Sequence, residues 1–318
     1  MNTLDINKTK LPLCGNKPNV ERNVWAAITT NDNGLFKTFW QQHRYHEARR
    51  WSVTDFINEI DFPNLTMLER SYIKNAGFAE ITTKPGADRL TRQADSECQK
   101  WLNTNPQLSA VMQACGTWSR YWNEEESHHE MAFLYLSYAA NENTDSPILN
   151  AVPSDKEIID FRRIYPDDNM LRTLTILAMS EGIATLQYND FADAATDPAL
   201  IALFRKISLD ESQHMRNFVS FAKALVDSGE FDIRDVLSMA IMFMREDGEI
   251  YGNSENRVKE RDTHVNWWDA IDDNCKRDPA SEEKEVKQII FKVVENITGI
   301  KVSDVEELEE IWMELLVA

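Results

Sequence analysis

Apolar residues along the chain recur mostly at three- and four-residue spacing, and strict alternation of apolar and polar positions is scarce. Three- and four-residue spacing is typical of amphipathic helices, whereas half-buried strands alternate with a period of two. Stretches rich in turn-forming residues, such as "TTKPGAD", "NTNPQ" and "DAATDPA", separate the periodic segments. The pattern predicts an all-α protein, with helices from about 23 to 51 with one break, from 67 to "TTKPGAD", and over about 89–103, 108–141, 170–194, 198–227 and 233–245, followed by two more after 286.

Length and composition fit one helical domain covering residues 1–318, with 42% hydrophobic residues and only 10 glycines and 10 prolines. Residues 1–22 are expected to be irregular. A core bundle is expected over about 67–227, and C-terminal helices over about 233–318. The whole is predicted to be a four-helix bundle with additional helices at both ends.

The chain carries a formal net charge of −19 and lacks a concentrated basic face, which argues against a nucleic-acid partner. No signal peptide and no apolar stretch long enough to span a membrane is evident, so we expect a cytoplasmic protein without a membrane partner. The four cysteines are scattered without close pairs, which favours free thiols over a disulfide framework or a thiolate metal site: Cys14, Cys98, Cys115 and Cys275.

Two predicted helices carry a Glu-x-x-His motif within "WNEEESHHEMAF" and "SLDESQHMRNF". Glu126 and His129 share the apolar face of the first helix, and Glu211 and His214 share that of the second. The neighbouring His128 is rotated about 100° from His129 and points away from the apolar face. Burial of ionisable side chains is energetically unfavourable unless they are paired or bind a metal. Because both helices bury such a pair at the same spacing, the pattern indicates metal ligands.

Each motif is preceded by a helix that carries a further carboxylate among apolar neighbours. Glu181 lies 30 residues before Glu211, and Glu97 lies 29 residues before Glu126. Glu80 is the alternative to Glu97, but a Lys-Pro-Gly break lies between it and the following helix. We therefore take Glu97 as the ligand from the first helix, with Glu80 left open.

Four helices that contribute Glu, Glu-x-x-His, Glu and Glu-x-x-His form the dinuclear site of ferritin-like bundles. Two divalent cations would balance the charge of four buried carboxylates, and oxygen-rich ligation with one imidazole per metal favours two Fe²⁺, with manganese possible. The second ring nitrogen of a metal-bound histidine needs a partner, and we assign that role to Glu125 and Asp210.

These motifs, with "RRWSVTDF" upstream, resemble the soluble acyl-carrier-protein desaturases over residues 49 to about 250. The resemblance implies that the six residues above are iron ligands and that Trp51 lies on a hydrogen-bonded route from the surface to the metal. The family has a threonine three residues after the third glutamate. That position is Ala184 here, so the corresponding catalytic role falls to the adjacent Thr185.

The function expected from this resemblance is O₂-dependent desaturation of an acyl chain carried on acyl carrier protein, with a shielded cavity lined by apolar residues near the ligands: Trp118, Trp122, Leu177, Tyr188, Phe204 and Phe218. Hydroxylation or N-oxygenation of a carrier-bound or free metabolite is the alternative. Arylamine N-oxygenases of related fold usually add a histidine at the position of Ile207, which counts against them. Iron oxidation and storage, as in ferritins, is an alternative of another class.

The expected partners are acyl carrier protein, a ferredoxin-like electron donor and a second copy of the chain in a homodimer. An acidic carrier protein needs a basic surface. The best candidate for such a surface is Arg44, Arg49 and Arg50, although solvated helix charges are an equal alternative. His43 and His46 in the same segment are interpreted as surface residues.

Overall fold

A computed structural model describes residues 43–83, 88–140, 169–244 and 279–317, and every regular element within these ranges is helical. Residues 43–49 are helical, and Thr54–Ile57 and Phe62–Asn64 form short helical turns. The long helices are α1 (Met67–Thr83), α2 (Asp88–Trp101), α3 (Pro106–Ala140), α4 (Met170–Ala194), α5 (Pro198–Asp227), α6 (Ile233–Met244), α7 (Pro279–Thr298) and α8 (Val305–Val317).

The all-α prediction is confirmed, and most predicted boundaries agree with the observed ones to within a few residues. The two short turns lie in a stretch predicted to be irregular, and α7 begins seven residues before its predicted start. Predictions for residues 1–42 and for the breaks at 84–87, 141–168 and 245–278 fall outside the described residues, as do Cys14 and Cys275. Cys98 and Cys115 are free buried thiols.

Side-chain caps fix the starts of the helices that matter for the site. The Asp197 carboxylate accepts a hydrogen bond from the Leu200 backbone N–H at 2.8 Å, and Pro198 occupies the first turn of α5. At the start of α1, Thr66 and Glu69 form a reciprocal capping box, with the Thr66 N–H 2.7 Å from Glu69 Oε2 and the Glu69 N–H 3.2 Å from Thr66 Oγ1.

Four helices, α1, α3, α4 and α5, form the bundle that surrounds the site. Helices α4 and α5 are joined by only three residues, 195–197, and pack along each other for most of their length. Helix α1 lies against the C-terminal half of α3, where a Cβ at Gly77 would come 3.6 Å from Cβ of Phe133. Glu80, one turn further along α1, is thereby brought level with the Glu-x-x-His motif of α3.

Helix α2 lies against the other half of α3. Thr91 Oγ1 is 2.7 Å from Ser119 Oγ, and Cys98 Sγ is 3.4 Å from Ser109 Oγ, so the two helices run antiparallel. Helix α2 is therefore an added helix alongside the bundle, and it covers the N-terminal half of α3.

The C-terminal helices cover the other side of the bundle, where α7 packs on both α4 and α5 and α8 packs on α6. Gly182 permits the close approach of α7, because a Cβ at this position would lie 2.6 Å from Cγ2 of Ile289. Apolar residues form two clusters, one including Trp118 and Phe218 and the other including Phe133 and Phe204. None of the described helices combines the length and the hydropathy that a membrane span requires.

Candidate metal centre

Six buried side chains converge in the bundle, one or two from each of its four helices. Helix α1 contributes Glu80, α3 contributes Glu126 and His129, α4 contributes Glu181, and α5 contributes Glu211 and His214. Each is at most 7% exposed. The helical repeat explains the motifs, because residues three apart lie on the same face of a helix and turn together toward the bundle interior.

The six residues form two groups that share two carboxylates. Glu80 and His129 belong to one group and Glu181 and His214 to the other, while Glu126 and Glu211 belong to both. Within each group, one ligand atom of every residue lies within 4.8 Å of the others. Two adjacent cation positions follow, each with one imidazole, one carboxylate of its own and two shared carboxylates.

Both imidazoles direct Nδ1 toward the shared carboxylates. His129 Nδ1 lies 3.1 Å from Glu211 Oε1, and His214 Nδ1 lies 3.0 Å from Glu126 Oε1 and 2.9 Å from Glu211 Oε2. The ring centroids are 6.1 Å apart. The two Nδ1 atoms are thus the nitrogens that would bind metal.

The outer nitrogens of both rings face acidic side chains. His129 Nε2 lies 3.5 Å from Asp210 Oδ2, and His214 Nε2 lies 2.8 Å from Glu125 Oε2. A carboxylate at the second nitrogen fixes the tautomer and orientation of a metal-bound imidazole. The structure therefore puts Asp210 and Glu125 in the positions that such partners require.

Glu97 is not part of the cluster, which corrects the choice made from the sequence. Its carboxylate accepts hydrogen bonds from Lys100 Nζ at 3.2 Å and from Trp101 Nε1 at 2.8 Å. Because α2 aligns residue 98 with residue 109, Glu97 lies some fifteen residues of α3 away from Glu126, or roughly 20–25 Å along the helix axis. Its spacing of 29 residues from Glu126 matches the other half of the molecule by coincidence, because an extra helix is inserted here.

Trp51 lies between the segment 43–49 and the cluster and is 9% exposed. Its indole N–H donates to Asp210 Oδ2 at 2.7 Å, and the same oxygen is the one near His129. Trp51 is therefore hydrogen-bonded to Asp210, and the Asp210 carboxylate in turn lies in ion-pair contact with the candidate ligand His129. Thr185 has a different environment, since its hydroxyl donates to the Glu181 backbone carbonyl at 2.8 Å and is directed along its own helix.

The pKa values of the cluster residues show that the buried carboxylates favour nearby positive charge. Burial alone would lower the pKa of His129, but Glu211 and Asp210 raise it to about 9. Burial and the Glu211 charge raise the pKa of Glu181 to about 8. Burial acts to raise the pKa of Glu211 as well, yet the neighbouring histidines hold it well below its usual range. Protons on the imidazoles and on Glu181 would offset part of the negative charge of this site in the absence of metal.

The donor set fits two divalent cations better than it fits protons alone. Two cations at +2 each balance four carboxylates at −1 each, and carboxylate oxygens with one imidazole per metal suit iron or manganese. The carboxylates are further held by indole and phenol donors, with Trp122 Nε1 3.1 Å from Glu181 Oε1 and the Tyr188 hydroxyl 2.5 Å from Glu80 Oε1. Such outer contacts orient ligands in metal sites.

Glu80 was left open as the alternative to Glu97, and His46 and Arg49 were placed on the surface. Glu80 was detectable, because it continues a buried stripe in α1 through Tyr72, Ile73, Ala76 and Gly77. His46, interpreted as a surface residue, is 3% exposed and contacts Glu125. Arg49 was considered for a docking surface, but it is buried and hydrogen-bonded to Asp210.

The aromatic residues expected to line a cavity are buried on either side of the cluster. The Trp118 ring lies 4.9 Å from Phe218 and stacks with Trp122 at 6.3 Å. Tyr188 packs between Phe133 at 5.9 Å and Phe204 at 6.2 Å. These rings and Leu177 keep the polar cluster away from water.

Comparison with known proteins gives no family assignment. No family model matches the chain, and no curated protein matches it. The chain is similar to a solved structure of a mutant R2-like ligand-binding oxidase with an aerobically reconstituted Mn/Fe cofactor, at 16% identity and a TM-score of 0.43, over 88% of this chain and 90% of that one.

Proposed function

We propose that the protein is an O₂-dependent oxidoreductase with a dinuclear centre of two ferrous ions. The observation that carries the proposal is the pair of buried Glu–His groups that share Glu126 and Glu211. Two ferrous ions held there would together supply two electrons to O₂. In a desaturation the other two of the four electrons that reduce O₂ to water would come from the two C–H bonds that are broken, and the ferredoxin-like donor would return the iron ions to the ferrous state.

The residues have separate roles in this proposal. Glu126 and Glu211 would be shared by the two ions. His129 and Glu80 would complete the ligands of one ion, and His214 and Glu181 those of the other. The surrounding rings exclude water from the site, which strengthens every electrostatic interaction within it.

Trp51 and Asp210 connect the His129 position to the edge of the bundle, through the hydrogen bond from Trp51 to Asp210 and the ion-pair contact between Asp210 and His129. We propose that electrons from a ferredoxin-like donor enter by this side. Arg44 in the segment 43–49 and Arg50 directly after it remain as the basic residues that could meet an acidic partner, since Arg49 is buried. Arg50 already pairs with Glu124 at 2.5 Å, so a partner must compete with that contact.

For the substrate, we propose an acyl chain carried on acyl carrier protein, which is desaturated. The resemblance of the motifs to the desaturases and the apolar surroundings of the cluster support this choice. Homodimer formation and a cytoplasmic location belong to the same proposal.

Hydroxylation of a carrier-bound or free metabolite is the second candidate. One observation favours it: Ala184 occupies the position of the family's threonine, and the hydroxyl of the adjacent Thr185 is donated to a backbone carbonyl. A site without that hydroxyl would handle the oxygen-derived proton differently from a desaturase.

Anaerobic loading with Fe²⁺ followed by substrate and product analysis tests the proposal. We expect two iron ions per chain, loss of iron in Glu126→Ala and His214→Ala, and O₂ consumption coupled to modification of an acyl group. Loss of two hydrogens by mass spectrometry supports desaturation, and gain of one oxygen supports hydroxylation. Metal content that is the same in wild type and both variants contradicts the dinuclear site. Accumulation of many ferric ions per chain without substrate would instead indicate iron storage.

A further inference from the structure

His46 lies buried between two consecutive glutamates of α3. Its Nδ1 is 3.2 Å from Glu125 Oε1, and its Nε2 is 3.1 Å from Glu124 Oε2. The imidazole also packs on the Tyr121 ring, with centroids 5.1 Å apart. The side chain is therefore held at both nitrogens and on one face.

Glu125 connects His46 to the candidate metal centre. One of its oxygens faces His46, and the other lies 2.8 Å from His214 Nε2. A carboxylate that accepts from donors at both oxygens has its plane fixed, and in turn it fixes the imidazole whose N–H it accepts. The chain His46–Glu125–His214 thus determines how His214 presents Nδ1 to the shared carboxylates.

The His129 position is supported by different hydrogen-bond donors. Asp210, the acid next to His129, accepts from the Trp51 indole at 2.7 Å and from the Arg49 guanidinium. An indole N–H and a guanidinium keep their protons at all physiological pH values. Glu125 depends instead on an imidazole, for which burial lowers the pKa but the Glu125 and Glu124 carboxylates raise it above its ordinary value.

We infer that His46 is a positioning residue that determines, through Glu125, the affinity for the cation at His214. The affinity for the cation at His129 depends independently on Trp51 and Arg49, which act through Asp210. The inference rests on the proposed dinuclear centre. It adds that the two metal positions differ in the residues that support them. Substitution of a residue that is not itself a ligand can therefore lower the metal affinity of one position without changing the other.

The expected effect is moderate because Glu125, although buried, lines a small cleft. His46 and Glu125 both line a cleft between the segment 43–49, α3 and α5, together with Tyr45, Gln213 and Asn217. Water can enter this cleft and replace a missing imidazole as a donor to Glu125, although less rigidly. Outer partners of metal ligands typically contribute roughly 10–100-fold to affinity, and we expect His46 to lie near the lower end, at roughly 10-fold.

Anaerobic titration with Co²⁺ tests the inference without O₂ chemistry, because its absorption spectrum reports binding and coordination at each position. We expect wild type to bind two Co²⁺ per chain. His46→Ala should weaken one of them by roughly 10-fold and leave the other unchanged. His46→Gln, whose amide can still donate to Glu125, should recover most of the loss. His43→Ala, a change of the same residue type one turn earlier in the same helix, is the matched control and should bind as wild type.

A double-mutant cycle separates positioning from general loosening of the structure. His46→Ala added to His214→Ala should cause no further loss, since the ligand through which His46 acts is gone. His46→Ala added to Trp51→Phe should weaken the two cations independently.

Three results would overturn the inference. These are unchanged affinity in His46→Ala, equal weakening of both positions, and an undiminished effect in the His214→Ala background. Circular dichroism monitors folding, and loss of the fold in both His46→Ala and His46→Gln would show that His46 serves folding and not the metal. Binding of fewer than two Co²⁺ by wild type would contradict the proposed function itself, which is a distinguishable failure.

Discussion

The phenolic oxygen of Tyr188 lies 2.5 Å from Oε1 of Glu80. Tyr188 stands on α4, seven residues and about two turns after Glu181, so one helix supplies both a candidate ligand and the support of a second. Both side chains are at most 5% exposed. Their contact orients Glu80, the residue that the sequence alone did not select.

Tyr188→Phe should weaken metal binding at the His129 position. The change removes the hydroxyl that orients Glu80 but keeps the ring between Phe133 and Phe204, so the core packing is retained. We expect roughly 10-fold weaker binding of one of two Co²⁺ ions in an anaerobic titration. Tyr135→Phe, at a position of α3 that is 50% exposed, is the matched control. Equal affinity in both variants would show that Glu80 does not depend on Tyr188.

Glu80→Gln and Glu97→Gln distinguish the two candidates for the ligand from the first half of the chain. Both changes replace a carboxylate by an amide of the same shape. Because Glu80 belongs to the buried cluster and Glu97 pairs with Lys100 and Trp101, only Glu80→Gln should lose one metal ion per chain. Metal analysis after anaerobic loading and desalting measures the ratio. Loss of metal from Glu97→Gln alone would contradict the observed packing of α2.

Local patterns were sufficient to predict the helices and the ligands that lie on them at fixed spacing. Glu126 with His129, and Glu211 with His214, follow from the helical repeat, and Glu181 follows from a hairpin whose link is only three residues long. Glu80 also lies on an apolar stripe, but the stripe alone could not decide between Glu80 and Glu97, because that choice depends on where α2 packs. That packing is decided by contacts distant in sequence, such as Thr91 with Ser119.

His46 illustrates a second limit of sequence analysis. Nothing in its own segment shows that Glu124 and Glu125, nearly eighty residues later, lie against it. A polar residue on a short amphipathic segment is exposed in most proteins. Its burial here follows from the position of the segment 43–49 across α3 and α5, which a periodic pattern does not determine.

Glu69 should make stability depend on pH in the acid range. Its carboxylate is 1% exposed and accepts backbone N–H donors from Thr66, Thr196 and Asp197 at 2.7, 2.7 and 2.8 Å, which ties α1 to the α4–α5 link. Burial acts to raise the pKa of Glu69, but these hydrogen bonds lower it from 4.5 to about 2. The ionised form therefore stabilises the fold fully above pH 4.5, and this contribution is lost as the pH falls toward 2.

Glu69→Gln tests this account through urea unfolding at a series of pH values. At neutral pH the variant should lose about 1–3 kcal/mol of unfolding free energy, because a neutral amide cannot satisfy all the buried N–H donors. The difference from wild type should shrink between pH 4.5 and 2, as wild-type Glu69 takes up its proton. The exposed Glu59→Gln is the control. A difference that stays constant across this range would show that the charge of Glu69 contributes nothing.

Gly182→Ala should destabilise the packing of α7 against the bundle next to Glu181. The added Cβ would lie 2.6 Å from Cγ2 of Ile289 and 2.9 Å from Sδ of Met215, so α7 must shift or Met215 must change its rotamer. Overpacking costs about 1–3 kcal/mol, whereas alanine gains about 1 kcal/mol over glycine within a helix, which leaves a net loss of up to about 2 kcal/mol.

Thermal or urea unfolding of the single and double variants measures the effect of this overpacking. Ile289→Ala removes the nearest atom, so the double variant Gly182→Ala/Ile289→Ala should be more stable than the sum of the single changes predicts. If the losses of unfolding free energy in the two single variants simply add in the double variant, α7 does not approach α4 as closely as Gly182 permits. Because Glu181 precedes Gly182, we also expect Gly182→Ala to weaken metal binding at the His214 position. Recovery of that affinity in the double variant would show that the packing of α7 affects the geometry of the site.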